Sequence, residues 1–504
     1  MIRGIALLAL VTTVGCGGSS DGDGASSGAN VVTSPVFRNV LGEAAFVGDS
    51  ACFSCHEDQS AGYESHGMAN SVYPLTSETS VERFDGSVVY DSLTGLRYTA
   101  TRTDSGFFLV EYRIGDGGAR THELVREMEY VVGSGTSART YLTESEHWFY
   151  ELPVTWYTQG QRWDFSPGYQ VANKRFDRKI NDRCIVCHNS YPDPVEQTDG
   201  MYLSMPSGIG CERCHGPGGL HVEERLETPE AADEIDDSIV NPSHLSFDRR
   251  MDVCQQCHLN GSISLLRSDR TPYDFRPSQD LSDYVAIFGD EETSSESGGI
   301  GVISHVERMK ESACFTQTQS LESSLECTTC HDPHEGFRDA GPEYFNETCI
   351  DCHAIEPLRT RLSSSPSLDD HSASDNCFSC HMPKTEVEEA PHSSFTDHWI
   401  RVVESGEGRN GSARSADQSP NRPEGRLAAY FERDRSGEGI MYQGMAAVAY
   451  GRQENDEAAL LRGVELIREA DQAGYGSGEA TYLHGFALQL LGRHDEAVES
   501  LEEA

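Results

Sequence analysis

Along VVYDSLTGLRYTATRTDSGFFLVEYRIGDGG, residues 88–118, short β-branched and aromatic runs are cut by LTG, DSG and GDGG. Runs of this kind mark strands with a buried face, and short Gly-containing breaks mark hairpins. YVVGSG, ARTYL, HWFYELPVTWY and RWDF continue the style to residue 165. The pattern predicts a small antiparallel β subdomain over about residues 72–170. Past residue 425 the period becomes helical, in MYQGMAAVAYGR, EAALLRGVELIREA and GEATYLHGFALQLLGRHDEAVESLEEA. Four helices are expected there, as two hairpins. Between Cys184 and residue 403 neither period is sustained, and Pro, Gly and Asn are frequent. Such a segment buries little by itself.

Two stretches separate these regions. GGSSDGDGASSGANVVTS, residues 17–34, is a Gly/Ser/Asp-rich run that reads as a tether. ESGEGRNGSARSADQSPNRPEG, beginning at Glu404, reads as a linker. The expected organisation is a leader at 1–15, a tether at 16–36, a central domain at 37–403 that contains the β insert, a linker at 404–424, and helices at 425–504.

The cysteines say what fills the weakly patterned centre. Fourteen of the 16 fall in seven C-x-x-C-H units. The units are Cys52/Cys55/His56, Cys184/Cys187/His188, Cys211/Cys214/His215, Cys254/Cys257/His258, Cys327/Cys330/His331, Cys349/Cys352/His353 and Cys377/Cys380/His381. This is the attachment sequence for c-type haem. Each thiol adds to one vinyl group of the porphyrin, and the next residue must be an imidazole that reaches the iron from the same side. Zinc knuckles and thioredoxin-like pairs do not require a His directly after the second Cys, and seven such units exceed what either use explains. Seven covalent c-type haems are therefore expected. With an apolar share of 37%, the porphyrins themselves would supply much of the central core. Cys314, outside any unit, reads as a buried free thiol.

Haem of this kind is attached outside the cytoplasm. MIRGIALLALVTTVGC has one positive charge, a short apolar run and a small residue before Cys16, the layout of a secretory signal. The TVGC ending resembles a bacterial lipoprotein signal, in which Cys16 would carry the lipid. Ordinary cleavage is the alternative. The expected location is the periplasm, or the outer membrane and cell surface, of a bacterium, with membrane association through a lipid anchor. The net charge of −43, from 82 acidic and 39 basic residues, excludes a nucleic-acid-binding face.

A c-type haem keeps one axial position after attachment. A second His there makes the iron six-coordinate and suited to electron relay, whereas an empty position admits small molecules. Of 19 histidines, seven belong to the units and two, His484 and His494, to the helical end. Ten remain. His66, His221, His334, His371, His392 and His398 lie close in sequence to attachment units, so they are the distal candidates, with His305 beside them. His122, His147 and His244 are equally well read as surface or core histidines.

FVGDSACFSCHEDQ with SHGMA, CHGPGGLH, CTTCHDPH, and CHMPK followed by PHSSFTDHWI resemble the multihaem cytochromes of the cytochrome c554-like group fused to tetratricopeptide repeats. GSGTSARTYL, ELPVTWY, SPGY and CIVCHNSYP extend the likeness, which runs from Val47 to the end of the chain. In the last helices Gly485 and Ala497 would be the small residues at the helix crossing, Gly492 the turn, and Leu488 and Leu501 the groove filling. His484 departs from the Leu usual in that family, and the closing Pro would lie beyond Ala504, so an incomplete array is expected. The resemblance implies an α+β chain: an irregular multihaem cytochrome c domain with an inserted β subdomain, then an all-α repeat segment. It implies electron transfer through His/His-ligated haems, with redox protein partners docking on the repeats. The wider superfamily leaves a second reading, an oxidoreductase acting on nitrite, hydroxylamine or a sulfur oxyanion at one open haem iron. His122, His147 and Tyr141 would be its first candidates. The absence of a C-x-x-C-K unit and the surplus of histidines weigh against it.

Overall fold

The computed structural model describes residues 35–42, 44–229, 235–259, 261–290, 301, 305–319, 324–338, 340–353, 376–387, 390–402 and 427–504. The leader, the tether to residue 34, Cys16, His371 and the linker at 404–424 lie outside the described residues.

The alternating segment forms antiparallel sheets. β1 (Val72–Pro74) belongs to one; β2 (Val89–Tyr90), β3 (Arg97–Thr103), β4 (Gly106–Ile114) and β5 (Arg120–Glu127) form the other, a four-stranded meander. The first sheet continues with β6 (Tyr130–Val132), β7 (Ala138–Ser145), β8 (Trp148–Glu151) and β11 (Arg178–Lys179) beyond β1, while β9 (Val154–Tyr157) joins β7 to β10 (Arg162–Phe165). One core, with Tyr98, Leu109, Val131, Tyr141, Trp156 and Trp163, lies within the subdomain. A second contains Val72, Leu142, Phe149, Ile180, Ile185 and Tyr202. Successive side chains of a strand point to opposite faces, so neighbours Tyr141 and Leu142 on β7 serve different cores. Ile185 lies inside the unit CIVC. The second core therefore fastens an attachment segment directly to the sheet.

The attachment units sit on short helices: α1 (Ser50–Phe53), followed by α2 (Glu57–Glu64), then α3 (Asp182–Ile185) and α4 (Glu212–His215). After α5 (Gly219–Glu227), α6 (Phe247–His258) carries the fourth unit, and α7 (His305–Lys310) and α8 (Ala313–Thr318) lead to α9 (Cys327–Cys330), α10 (Pro342–Cys352) and α11 (Cys377–His381). Cys314 is only half-buried, because its neighbour Phe315, 2% exposed, takes the core-facing place on α8. The expectation of a buried thiol is corrected accordingly.

The C-terminal helices are α12 (Glu438–Glu454), α13 (Glu457–Gln472), α14 (Gly478–Leu490) and α15 (His494–Glu503). The Asp456 carboxylate accepts from the Ala458 and Ala459 amides and starts α13, and the Ser477 hydroxyl accepts from the Ala480 amide and starts α14. A Cβ at Gly485 would come within 2.7 Å of Leu501, so α14 and α15 cross closely there. Gly492, at φ +75°, makes the turn between them. These helices are not set apart from the central region. β18 (Leu427–Ala429) pairs with β15 (Val285–Asp290), itself paired with β14 (Ile263–Leu266), and Ile263, Ala286 and Phe288 share one core with Met441, Met445 and Val464.

Candidate haem sites

The first and third units are locked together by a reciprocal pair of carboxylates. Asp49 Oδ1, just before α1, accepts from the Cys211 amide at 2.8 Å. Glu212, 5% exposed, accepts from the Val47 and Gly48 amides, each at 3.0 Å, and from the Gly218 amide at 2.8 Å. A Cβ at Gly210 would strike Ser190 Oγ at 2.4 Å and Asp49 Oδ1 at 2.5 Å, so only glycine lets the chain pass this close.

Four thiol pairs from different units lie close together, near enough that at least one thiol of each pair feels the other's charge: Cys52 with Cys211, Cys187 with Cys257, Cys254 with Cys327, and Cys349 with Cys377. Charge on Cys257 also reaches Cys214, and charge on Cys330 reaches Cys349. The units therefore form a continuous series, from first to third, fourth, fifth, sixth and seventh, with the second joined to the fourth.

The fourteen thiols of the units differ in exposure. Cys55 is exposed, Cys380 is exposed, and so are Cys184 and Cys352, whereas the other ten are partly buried. The exposed four stand outside the thiol pairs just described. Residues three apart on a helix point about 60° away from each other, so a unit that turns one thiol towards a neighbouring unit can leave its second thiol facing water. Cys55 lies just past α1, where its Sγ approaches Ser54 Oγ at 3.9 Å, and Cys380 lies in the last turn of α11, where its Sγ approaches Ser379 Oγ at 3.8 Å. His56, which follows Cys55, is exposed in the same way.

The imidazoles pair across the same region. The rings of His56 and His221 are 6.3 Å apart, centre to centre, with planes 28° apart. His215 and His334 are at 6.0 Å and 16°, and His331 and His398 at 6.3 Å and 32°. His305 stands between His258, at 5.4 Å, and His398, at 4.7 Å. Two imidazoles sharing one metal through nitrogens at about 2 Å place their ring centres roughly 6 Å apart, so three of these pairs have the spacing of an axial ligand pair.

Tautomers are fixed by what holds the other ring nitrogen. Nδ1 of His215 lies 2.8 Å from the Val240 carbonyl, Nδ1 of His381 lies 2.8 Å from the Arg401 carbonyl, and Nδ1 of His398 lies 3.0 Å from the Thr396 carbonyl. A carbonyl only accepts, so each Nδ1 carries the proton and each Nε2 keeps its lone pair for a metal. His66 is arranged differently: its Nδ1 accepts from the Met68 amide at 3.0 Å, and its ring stacks on Tyr63. Burial holds His188, His258, His305 and His331 below the usual histidine range, His258 and His331 to about 4, which favours the neutral, ligating form.

His392 lies on the β subdomain, with Nε2 2.9 Å from Asp164 Oδ2 and its ring edge-on to Tyr157. His353 is exposed at the end of α10. Tyr141 is fully buried and donates to Glu82 Oε1 at 2.5 Å, while His122 and His147 are exposed at positive φ on β5 and in the β7–β8 turn. The structure does not bring these three together. His244 is exposed in the short 3₁₀ turn before α6.

The donor set suits a haem. Arg213, 3% exposed in the middle of CERCH, reaches the Val186 carbonyl at 3.2 Å and Cys257 Sγ at 4.0 Å and lies over the rings of Tyr191 and Tyr273. Its Nε has no hydrogen-bond partner among the described residues. A buried cation with an idle N–H beside three attachment units matches an anionic group such as a porphyrin propionate. His305 Nδ1 and His331 Nδ1 are likewise buried without a partner among the described residues.

The family described as cytochrome c554 and c-prime matches residues 162–216, which hold the second and third units. Multiheme cytochrome MtrA of Shewanella baltica (strain OS185) is 25% identical over 197 residues, 37% of this chain and 56% of that protein. Over these stretches the chain is similar to multihaem c-type cytochromes. It spans about half the length of that curated relative. The crystal structure of outer cell wall cytochrome OcwA aligns over 90% of this chain and 99% of its own, at 16% identity and a TM-score of 0.45. Among the described residues, no helix of this chain is long and apolar enough to cross a membrane.

Asp49, Glu212 and Arg213 were not legible as site residues. Each acts on a unit or ligand other than its own nearest one, and a charged residue inside C-x-x-C usually faces water. Glu212 and Arg213 gave one usable signal: they fill both variable positions of one unit with opposite charges.

Proposed function

We propose that the cytochrome is an extracytoplasmic electron relay that holds seven covalent haems, one at each C-x-x-C-H unit. A bound c-type haem supplies a one-electron iron couple. The observation that carries the reading is the set of imidazole pairs at 6.0–6.3 Å, with His215 and His398 tethered through Nδ1 to backbone carbonyls. His56 with His221, His215 with His334, and His331 with His398 close both axial positions of three sites, and His258 with His305 those of a fourth. Closed positions exclude substrates and keep the ligand sphere unchanged between oxidation states. Arg213 places a fixed positive charge where a propionate would lie.

The series of adjoining thiols gives the relay its direction in space, from the first unit to the seventh. The exposed thiols Cys55 and Cys380, in the first and last units, put both ends of that series at the surface, where electrons can enter and leave. The four C-terminal helices, tetratricopeptide-like in sequence, serve as the docking face for a redox protein. Cys16 is the lipid anchor site, holding the chain at a bacterial outer membrane or cell surface. MtrA is named as a multihaem cytochrome, which favours the relay.

The test is haem quantified per chain, with visible and electron paramagnetic resonance spectra of the oxidised protein. Seven low-spin haems are expected. A high-spin haem that binds and turns over nitrite or hydroxylamine would replace this reading with the oxidoreductase one.

A further inference from the structure

His221 differs from the other tethered imidazoles in what its Nδ1 touches. It lies 3.1 Å from Ser238 Oγ and 3.2 Å from Asp236 Oδ2. Ser238 Oγ in turn donates to Asp236 Oδ1 at 2.5 Å, and the Ser238 amide donates to the same oxygen at 2.9 Å. Both acceptors open to the His221 proton therefore lead to one carboxylate. At His215, His381 and His398 the acceptor is a neutral backbone carbonyl.

The carboxylate is held in place. Ser238 is fully buried and fixes Oδ1, which leaves Oδ2 facing the helix. Arg225, one turn after His221 on α5, reaches the same Oδ2 at 3.0 Å and steadies it. The Ser238 hydroxyl and amide both donate to Oδ1, and the Arg225 guanidinium pairs with Oδ2, so every contact made with the carboxylate favours its charge. The group facing His221 is an anion.

An imidazole that donates to an anion gains imidazolate character and becomes a stronger donor to its metal, which favours the more highly charged, oxidised iron. Charge-assisted hydrogen bonds are roughly twice as strong as neutral ones. We propose that Asp236, acting through Ser238 and Nδ1 of His221, is a positioning residue that sets the haem at Cys52 and Cys55 to a lower reduction potential than the haems whose histidines donate to backbone carbonyls. The first unit then gives up electrons readily to the adjoining unit at Cys211. The inference rests on the proposed pairing of His56 with His221 at one iron.

The experiment is spectroelectrochemical titration of the full-length holoprotein, wild type against Asp236→Asn, Asp236→Glu and Ser238→Ala, with paramagnetic resonance spectra of each. Asp236→Asn keeps an acceptor and removes the charge. It should shift the oxidised-to-reduced ratio of one haem about tenfold towards reduced at fixed potential, about 59 mV for one electron. One low-spin signal should move with it, and the remaining midpoints should stay. Asp236→Glu, which keeps the charge, should leave that midpoint near the wild-type value, and Ser238→Ala should move the same haem by less than Asp236→Asn does. If Asp236→Asn lowers haem content, Ser238→Ala alone decides, and an unmoved midpoint there overturns the proposal. Unmoved midpoints in Asp236→Asn with full haem content overturn it as well. His221→Ala separates the two levels of the argument. If it turns one low-spin haem high-spin while Asp236→Asn does nothing, the pairing stands and the tuning role falls. If it changes no haem signal, the pairing itself falls.

Discussion

Asp49 and Glu212 bind two attachment segments in opposite directions: the Asp49 carboxylate accepts from the Cys211 amide, and Glu212, the next residue, accepts from the Val47 and Gly48 amides that precede Asp49. Units separated by more than 150 residues are thereby held at a fixed spacing. Because Glu212 also takes the Gly218 amide, removing its carboxylate strands three N–H groups, part-buried or buried. A stranded buried donor costs about 1–3 kcal/mol. Glu212→Ala should therefore lower stability by about 3–5 kcal/mol in denaturant unfolding of the holoprotein. Glu212→Gln, which keeps an acceptor oxygen, should lose less than half of that. A loss below about 1 kcal/mol in the alanine variant would mean the bracket does not hold the two units.

A second clamp lies beside His305 and His398. Arg308 donates to Asp397 Oδ1 at 2.9 Å and to Oδ2 at 2.7 Å, and Arg401 adds a third bond at 2.8 Å. Arg308 is one turn after His305, and Asp397 directly precedes His398. Asp397 is 1% exposed, so breaking the pair leaves a charge in the interior. Arg308→Ala should cost about 3–5 kcal/mol. On the proposed pairing of His258 with His305 and of His331 with His398, it should also broaden or convert the low-spin signals of those two haems. An unfolding loss without a spectral change would show that the clamp supports the fold without positioning those ligands.

The seven C-x-x-C-H units are read directly from the sequence, because two thioether bonds and an axial ligand on one porphyrin must come from adjacent residues. What each thiol faces was not: Cys52 and Cys55 stand three residues apart, yet the first meets Cys211 and the second is exposed, a difference set by the neighbouring unit and not by the motif. The same holds for Cys377, beside Cys349, and the exposed Cys380. The β subdomain was legible because strands at a core repeat every second residue, as in LRYTATRT and FFLVEYRI. The imidazole pairs were not. His56 meets His221 and His215 meets His334, each pair joining residues more than 100 positions apart, and nothing local distinguishes His334 from His392, which lies against Asp164 instead. Nor did the sequence separate the helical segment correctly. Leu427–Ala429 is only three residues, too short for a periodic signal, yet it adds an edge to the β14–β15 ladder and ties the helices to the central region.

Glu151 gives the β subdomain a pH dependence. Burial pushes its carboxyl up to about 7, from an ordinary value of 4.5, with Arg178 at 3.2 Å opposing the rise only partly. A carboxyl whose folded pKa is raised binds its proton more tightly in the native state. Its contribution is therefore fully present below about pH 4.5 and is lost as pH rises through 7. At about 1.4 kcal/mol per unit, the loss is about 3 kcal/mol. Glu151→Gln resembles the protonated acid at every pH. The difference in unfolding free energy between Glu151→Gln and wild type should therefore be near zero at about pH 4 and should grow by about 3 kcal/mol in favour of the variant by about pH 8. A difference independent of pH would show that Glu151 is ionised throughout, held so by Arg178.

The junction of the helices with the β14–β15 ladder depends on Arg267 and Asp434. Arg267 donates to Asp434 Oδ1 at 2.5 Å and to the Ser282 carbonyl at 2.8 Å, with side-chain exposures of 5% and 0% for the pair. Next to it the Tyr442 hydroxyl, on α12, accepts from the Ser268 amide at 2.9 Å. In water-free surroundings such a pair gains little over a well-packed apolar replacement, because both ions have lost their hydration, but a single survivor is costly. Asp434→Ala should destabilise by about 3–5 kcal/mol, while the double variant Arg267→Met with Asp434→Leu should recover most of that loss. The apolar core beneath, with Phe288 against Met441 and Met445, should then keep the helices docked without the ions. If the double variant is as unstable as the single one, the pair holds the helices in register as well as in contact, and proteolysis between residues 403 and 427 should release them.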